Sequence, residues 1–383
     1  MIFTLEALQA EYGDCLILHY GPEEKPSFIL IDGGPNKKNW EGMIRKRLLE
    51  IKHHWSPDQA LPLSLVMVSH IDNDHITGIE YLLEELAQAD EDKPALWEIF
   101  SLWHNSFDDI IGNRGVDAAA LIKDATENAG NQRDLRSVAV AGVNEGRNLR
   151  DLAKKLGLLV NHPFDGLVRR ADDGKTLILW DELKITILHP ATSRLQKLQA
   201  AWDEKLREYH EKGDKSIIQA AYKDNSPFNL SSIVTLVELD GKKVLLTGDA
   251  RGDDIIDGLV DAGLLTNDKD SIFEVELLKL PHHGSEHNVT EDFFRRVRAK
   301  HYVISADGRF GNPDRATLDM LVNARPDDDF TIHLTNEKGR EEIEKNLKMF
   351  FSDQSEAGRQ FKRCIRNENE PSIKCDLASP IEY

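Results

Sequence analysis

The sequence predicts an α/β protein in which two halves of a sheet sandwich are separated by a largely helical insertion. Short apolar runs of strand length recur in residues 1–104 and 226–320, and several end directly in histidine or aspartate. Between them, over about residues 106–228, charged segments with helical periodicity predominate, although strand-like pieces interrupt them. This alternation of strand and helix signals is typical of a layered α/β fold.

The composition is typical of a soluble globular protein and disfavours broad nucleic-acid binding. Hydrophobic residues make up 40% of the 383, which excludes wholesale disorder, and the formal net charge is -19. A protein that coats phosphate backbones usually carries a basic face. No apolar run approaches the roughly 20 residues that span a bilayer, and the N-terminus lacks a signal-peptide pattern. Three scattered cysteines favour a reducing compartment, so we expect a cytoplasmic protein without membrane contact.

In the first half, strands and helices are predicted to alternate after an opening hairpin. The predicted strands are residues 3–8, 15–20, 28–31, 63–68 and 96–103, and the predicted helices are residues 40–51 and 79–86. The third strand runs into a Gly33-Gly34 turn, and the last one ends at His104.

In the second half, strand patterning resumes after interruptions within the insertion. The predicted strands are residues 176–180, 183–188, 232–239, 243–247, 276–280, 301–305 and 372–376, with a helix near 290–299. Asp240-Gly241 between two apolar runs predicts a hairpin turn. Lys279 alternates with Leu278 and Leu280, which predicts that it lies on a sheet surface.

Four ligand-type side chains follow the predicted strand 63–68. His70, Asp72, Asp74 and His75 lie within six residues directly after it. A strand end on a rigid scaffold can project several side chains into one cleft. Imidazole and carboxylate together suit zinc, manganese or iron. The segment therefore predicts a metal-binding loop.

Two later strands end in the same way. Asp249 follows an apolar strand with Gly248 before it, and His282 and His283 follow another after Pro281. Three separate strand ends that carry ligand-type residues predict a site with two divalent metal ions, assembled from distant parts of the chain.

The order of these motifs resembles that of the metallo-β-lactamase superfamily. It is especially similar to the hydrolase domain of bacterial competence (DNA-uptake channel) proteins. The matching segments are Gly13-Asp14 and residues 30–34, 69–78, 247–250 and 281–285. The resemblance covers about residues 1–104 and 226–320. It implies an αββα sandwich, with a hydrolase domain over 1–350, a helical insertion at about 106–228, and a C-terminal extension over 351–383.

The resemblance also implies roles for individual residues. His70 and Asp72 would help hold one metal, with His104 as a further candidate, and Asp74 and His75 would hold the second. Asp249 would bridge the ions, and either His282 or His283 would complete the second site. Asp74 is also the candidate to orient or deprotonate the attacking water. Asp32 would support the metal loop by accepting a hydrogen bond from a ligand histidine.

This sequence departs from the family's pattern at two positions. Asp72 stands where most of the superfamily has histidine, which makes the first site richer in oxygen and favours manganese more than usual. Asn312 stands where competence-type relatives usually have histidine, and it could bind a substrate oxygen but not act as an acid. Ser285 and Arg309 are the other candidates for substrate contact.

The substrate is open between three classes. The resemblance favours a phosphodiesterase or nuclease that acts on nucleic acid or a small phosphodiester. The acidic net charge favours a small-molecule ester, lactone or cyclic-nucleotide hydrolase instead. A third hypothesis is a subunit of a larger assembly, such as a defence system, with a protein partner or a second copy of the chain.

Overall fold

Two β-sheets lie face to face, and helices cover their outer faces. The computed structural model describes residues 1–110, 146–171, 176–179, 183–212, 231–337, 341–359 and 361–383. The strands, in chain order, are β1 (Ile2–Leu8), β2 (Leu16–Gly21), β3 (Ser27–Ile31), β4 (Leu61–Leu63), β5 (Leu65–Met67), β6 (Trp97–Ile99), β7 (Ser101–Trp103), β8 (Leu159–Val160), β9 (Thr176–Leu179), β10 (Leu183–His189), β11 (Val234–Leu239), β12 (Lys242–Leu246), β13 (Phe273–Lys279), β14 (Val297–Ile304), β15 (Thr331–Leu334), β16 (Lys362–Ile365) and β17 (Ser372–Asp376).

The helices connect these strands. They span Lys37–Asn39, Arg45–Trp55, Asn73–Ala87, Phe107–Ile110, 146–155, Thr192–Lys212, Gly252–Asp261, Glu291–Arg296, Arg315–Ala324 and Glu341–Glu356, with a π-helical turn at Trp40–Ile44 and a 3₁₀ turn at Pro281–Gly284. In the ranges that the structure describes, none is both long and apolar enough to cross a membrane.

The two sheets share one plan, in which antiparallel strands give way to parallel ones. The first has the spatial order β17-β1-β2-β3-β5-β7-β8, and the second has β16-β15-β14-β13-β12-β11-β10-β9. In the first, pairing is antiparallel up to β3 and parallel from β3 to β8. In the second, it is antiparallel from β9 to β12 and parallel from β12 to β16. β4 and β6 form a separate parallel pair.

Three apolar clusters hold the layers together. One lies between the sheets and joins residues such as Leu5 and Ile29 of the first sheet to Ile185 and Val237 of the second. Another packs the first sheet against helices Arg45–Trp55 and Asn73–Ala87. The third packs the second sheet against helices on its other face. Each sheet is thus buried on both faces, and the predicted αββα sandwich is confirmed.

The predicted insertion and extension both contribute strands to this sandwich. Within the insertion, β8 joins the first sheet while β9 and β10 belong to the second. Residues 111–145, 172–175, 180–182 and 213–230 of the insertion lie outside the described part. Within the extension, β16 forms an edge of the second sheet and β17 pairs with β1 of the first. The C-terminal residues are therefore integral to both sheets.

A buried ionic network ties the first sheet to its helix layer. On β1, Phe3, Leu5 and Ala7 face the second sheet, so the alternation turns Glu6 toward the helices. The Glu6 carboxylate binds Arg47 Nε at 2.7 Å and His19 Nε2 at 2.8 Å, and it also accepts from the Ser372 hydroxyl. Burial opposes ionisation of Glu6, but the partners His19 and Arg47 outweigh it and lower its pKa to about 2.

The helix Asn73–Ala87 packs against the loop after β3 through a backbone contact between Gly78 and Gly33. A Cβ atom on Gly78 would lie 1.9 Å from the Gly33 carbonyl oxygen. The Gly33 amide also donates to the His75 carbonyl at 2.6 Å, so the two segments cannot move apart without losing this hydrogen bond. Glycine is required here because the two backbones touch.

Substituting Gly78 with alanine is therefore expected to destabilise the fold by about 3 kcal/mol, the upper end of overpacking costs. Urea unfolding measured by circular dichroism would report the change. Gly42→Ala is the matched control, because a Cβ at Gly42 would meet nothing within 4 Å. That variant should be neutral or gain up to about 1 kcal/mol from helix propensity. Equal stability of the two variants would contradict the backbone contact.

Candidate metal centre

The ligand-type residues meet where both sheets change from antiparallel to parallel pairing. β3 ends before Asp32, β5 before His70, β12 before Asp249 and β13 before His282. Because the carboxyl ends of parallel strands share an edge of a sheet, the loops of each sheet converge. The two sheets also meet here, since the Ile233 amide donates to the Ser69 carbonyl at 2.8 Å.

Asp249 lies at the centre of four histidine rings. Its Oδ2 atom is 3.7 Å from Nε2 of His70, 3.6 Å from Nε2 of His282 and 3.7 Å from Nε2 of His283. Its Oδ1 atom is 3.5 Å from Nε2 of His75. A Cβ on Gly248 would come within 3.0 Å of Ser69, so glycine allows the loop to bring Asp249 this close.

Two groups of ligands share Asp249. In one, Asp72 Oδ2 lies 3.7 Å from His70 Nε2. In the other, Asp74 Oδ2 lies 3.5 Å from His283 Nε2 and 3.8 Å from His75 Nε2. His283 thus stands on the side of Asp74 and His75. His282 also faces Asp249, so the structure brings both histidines of the pair to the cluster.

Each of the four histidine rings has its Nδ1 atom held by an acceptor. His75 Nδ1 lies 2.9 Å from Asp32 Oδ2, and His283 Nδ1 lies 2.9 Å from the Ser305 carbonyl. His282 Nδ1 lies 2.8 Å from Asn288 Oδ1. His70 Nδ1 lies 3.1 Å from Ser69 Oγ. With the proton on Nδ1, each Nε2 presents a lone pair toward Asp249, which is the form that binds a metal.

The backbone of the histidine pair is strained. His282 and His283 have φ angles of 47° and 57°, in the left-handed region that disfavours residues with a Cβ. A hydrogen bond from the His282 amide to the Gly248 carbonyl at 3.1 Å helps hold this conformation. Strain of this kind persists where the surroundings determine the geometry, and it clusters at functional sites.

Asp32 supports the metal loop at several points. Besides its contact with His75, it accepts hydrogen bonds from the amide and the hydroxyl of Ser69, each at 2.7 Å. It also has a positive φ of 59°. The aspartate at the end of β3 therefore orders both the loop backbone and a ligand ring.

Asp14 and Lys279 belong to the site, although the sequence analysis assigned them no role there. Both are buried and form an ion pair, and Asp14 Oδ1 lies 3.5 Å from His283 Nδ1. Ligand atoms of Asp14, His75, Asp249 and His283 all lie within 4.8 Å of one another. The predicted surface position of Lys279 is wrong, because alternation on a strand gives a solvent face only when one face is uncovered.

The charges around the cluster favour a cation. Although burial opposes it, the carboxylates of Asp249 and Asp14 raise the pKa of His283 to about 10. Burial would likewise lower the pKa of His75, but Asp249, Asp32 and Asp74 raise it well above its usual value. Burial also opposes the ionisation of Asp249, yet neighbouring histidines hold its pKa well below the usual range. The pocket thus attracts positive charge, supplied by protons or by metal.

Unpaired buried atoms converge at the same point. Nε2 of His70, of His75 and of His283, together with Oδ1 of Asp249, are buried without a hydrogen-bond partner. Buried polar atoms are nearly always paired, so several orphans that face one point indicate a missing ligand. The donor set of imidazoles and carboxylates fits divalent zinc or manganese.

The other predicted site residues have different surroundings. His104 follows β7 and is buried, and burial lowers its pKa to about 4. Both of its ring nitrogens are buried without a hydrogen-bond partner, so its role as a ligand of the first metal stays a prediction. Ser285 is buried, and its amide donates to the His282 carbonyl at 2.9 Å. Asn312 donates to that same carbonyl at 3.4 Å, so both steady the histidine pair.

Arg309 lies in an aromatic cluster with Tyr12 and Phe310. Its guanidinium is 4.2 Å from the centre of the Tyr12 ring, and Phe310 packs edge-on against that ring at 5.3 Å. The cluster lies beside the metal loop, because the amide of Asp14, two residues after Tyr12, donates to the Asp74 carbonyl at 3.1 Å. Burial raises the pKa of Tyr12, and the charge of Asp74 raises it further.

Comparison with known proteins gives short or distant matches. No family model matches the chain. It is 35% identical to mouse (Mus musculus) microtubule-associated protein 1A over 103 residues, which are 26% of this chain and 4% of that protein. The rat (Rattus norvegicus) protein is 46% identical over 52 residues, 13% and 2% of the two chains. The chain thus spans only a few per cent of the curated relatives it matches.

Two solved structures are similar over nearly the whole chain. One is the metallo-beta-lactamase fold protein YhfI from Bacillus subtilis, with a TM-score of 0.38 and 10% identity, covering 98% of this chain and 99% of that one. The other is unliganded yeast PDE1, with a TM-score of 0.41 and 9% identity, covering 96% and 98%. At such TM-scores the fold assignment rests on this chain's own layers.

Proposed function

We propose that this protein is a metal-dependent hydrolase that cleaves phosphodiester bonds with two divalent ions bound around Asp249. The observation that carries the proposal is the convergence of four histidine Nε2 atoms on one buried carboxylate, each ring with its Nδ1 atom at a hydrogen-bond acceptor. Such preorganised rings, with lone pairs that face a common anion, are what a metal centre requires.

Each of the two groups of ligands would bind one ion. His70, Asp72 and His282 would hold the first, and Asp74, His75 and His283 the second, with Asp249 shared between them. When bound, the ions would acidify water and offset the negative charge that develops on phosphoryl oxygens. Asp72 adds an oxygen ligand to the first group, which makes manganese a candidate beside zinc.

The protein's own residues position the reaction. The Asp74 side chain keeps 16% exposure, so it can reach both an ion and the solvent, and it would orient the attacking water. Asp32 holds His75, while Asp14, paired with Lys279, lies against His283. The buried Asp14–Lys279 pair would keep the His283 ring from turning as charge changes during turnover.

The cluster of Tyr12, Arg309 and Phe310 supports a phosphodiester over other substrates. Phe310 is 56% exposed beside a guanidinium that is itself partly exposed. Bases stack on aromatic and guanidinium planes, and arginine binds phosphate. A nucleic acid or small phosphodiester could therefore place a base here with its phosphate toward the ions held around Asp249. The net charge of -19 instead favours the second candidate, a small ester, lactone or cyclic-nucleotide hydrolase.

The test is hydrolysis by the purified protein with Mn²⁺ or Zn²⁺. Substrates are plasmid, single-stranded DNA, RNA and bis-p-nitrophenyl phosphate. The Asp32→Asn variant keeps every metal ligand and should lose about 10- to 100-fold in activity, as outer partners of ligands usually do. Asp327→Asn is the matched control, since Asp327 is exposed and lies before β15, at the opposite edge of the sheet.

Cleavage of polymers that is lost in Asp32→Asn but kept in Asp327→Asn would support the proposal. Turnover of small esters or cyclic nucleotides alone would favour the second candidate. A protein that retains no metal and turns over none of these substrates would reject both enzyme functions and favour a subunit role in a larger assembly.

A further inference from the structure

We propose that His301, His333 and Cys375 form a second metal site of the structural zinc type, separate from the Asp249 cluster. The three side chains offer two imidazole nitrogens and one sulfur, all within 4.8 Å of one another. In the described part of the chain, they and the Asp14 group are the two sets of possible ligands that meet this distance. The site lies between the two sheets and needs nothing from the hydrolase site.

The distances suit a metal with small adjustment. His301 Nδ1 lies 2.9 Å from His333 Nε2, and Cys375 Sγ lies 3.8 Å from that same nitrogen. In a tetrahedral zinc site, the usual bond lengths place neighbouring ligand atoms roughly 3.3 to 3.6 Å apart. The observed distances fall on either side of this range. Small ring rotations that move the ligand atoms by a few tenths of an ångström would accommodate an ion.

The strand register explains why these residues meet. β14 and β15 pair in parallel with His301 opposite Thr331, which is two residues before His333. Both histidines are therefore on the same face of the second sheet as Val303, which is the face that packs against the first sheet. Cys375 is on β17 of the first sheet and lies in the apolar cluster between the sheets. A metal here would join the two sheets through a strand of each.

Cys364 is the candidate for a fourth ligand. It is on β16, opposite His333 in the register, so its side chain lies on the same face. It is exposed, whereas Cys375 and His333 are buried. A site with a buried thiolate and an exposed one at the sheet edge would leave a path by which an ion enters.

The chemistry of the donors favours zinc over the metals suited to the Asp249 cluster. Two imidazoles with one or two thiolates form a soft set, while the Asp249 cluster consists of imidazoles and carboxylates. Burial, together with the neighbouring His301, lowers the pKa of His333 to about 4, which keeps that ring neutral at neutral pH. Burial raises the pKa of Cys375 to about 12, so metal binding there would release the thiol proton.

Cobalt substitution under reducing conditions tests the proposal, because thiolate bound to Co²⁺ gives a charge-transfer band that carboxylate and imidazole ligands do not. The wild type should show this band, and Cys375→Ser should lose at least about half of its intensity. His301→Gln, at a half-exposed position that should tolerate the change, should weaken Co²⁺ binding at least about tenfold. Asp249→Asn should keep the band, which separates this site from the hydrolase site.

Zinc content gives a second readout. The wild type should bind one more zinc per chain than Cys375→Ser or His301→Gln, and its thermal midpoint should rise more on zinc addition. The proposal is overturned if the cobalt band is absent from the wild type, or if it persists undiminished in Cys375→Ser. Because neither outcome depends on turnover, failure here leaves the hydrolase proposal standing.

Discussion

Replacing Asp249 with asparagine is expected to abolish the proposed hydrolysis and to release metal from the Asp249 cluster. The substitution preserves shape but removes the one negative charge that faces all four histidine nitrogens. Removal of an outer partner alone usually costs 10- to 100-fold, so loss of the shared ligand should cost more than about 100-fold in kcat/KM. Metal content of the purified variant and turnover of bis-p-nitrophenyl phosphate are the two measurements.

The Asp327→Asn control should retain both metal and activity, because its side chain is exposed at the opposite edge of the sheet. The fold should survive the Asp249 substitution, since asparagine keeps the shape of the side chain and can still hydrogen-bond the surrounding rings. Circular dichroism of the variant would establish this. If Asp249→Asn bound the wild-type quantity of metal, the central position given to Asp249 would be wrong.

Replacing Glu6 with glutamine is expected to destabilise the fold by about 3 kcal/mol or more at pH 7, because it leaves the buried Arg47 with only the exposed carboxylate of Glu50 as a counter-charge. The carboxylate connects β1 and β2 to the helix Arg45–Trp55 and to Ser372 on β17. Urea unfolding at pH 7 measures the difference. Glu23→Gln is the matched control, because the Glu23 carboxylate is exposed and pairs with the N-terminal amino group. It should change stability little.

The effect of Glu6 should also depend on pH in a defined direction. Its pKa falls from 4.5 to about 2 on folding, so its stabilising contribution is complete above the unfolded value and is lost as pH falls toward about 2. That contribution is about 3 kcal/mol by linkage. The gap between wild type and Glu6→Gln should therefore narrow from pH 5 to pH 3. A gap that stays constant over this range would contradict the ionised state of Glu6.

Much of the fold could be predicted from local pattern. β3 ends at Ile31 as predicted, β12 ends one residue before its predicted end, and the Asp240-Gly241 turn joins β11 to β12 as expected. Helix boundaries were less certain. The predicted helix near 290–299 ends at Arg296, and Val297 already belongs to β14. Strand identity depends on pairing across the sheet, which no local window contains.

The grouping of the metal-loop residues could be predicted from the sequence alone. His70, Asp72, Asp74 and His75 are neighbours in the chain, and an apolar strand directly before them is enough to predict a site at its end. Asp249 and His283 could be predicted as ligands for the same reason, because each also follows an apolar strand. Local order carries this information because strand ends of a parallel sheet meet at one edge.

Which residues complete that site depends on the tertiary fold. It turned Lys279 inward to pair with Asp14, since both faces of β13 are covered. It also joined Glu6 to Arg47, and His301 and His333 to Cys375, across many residues of chain. A buried charge needs a partner, but local sequence does not show which distant residue provides that partner. That choice follows from how the layers pack.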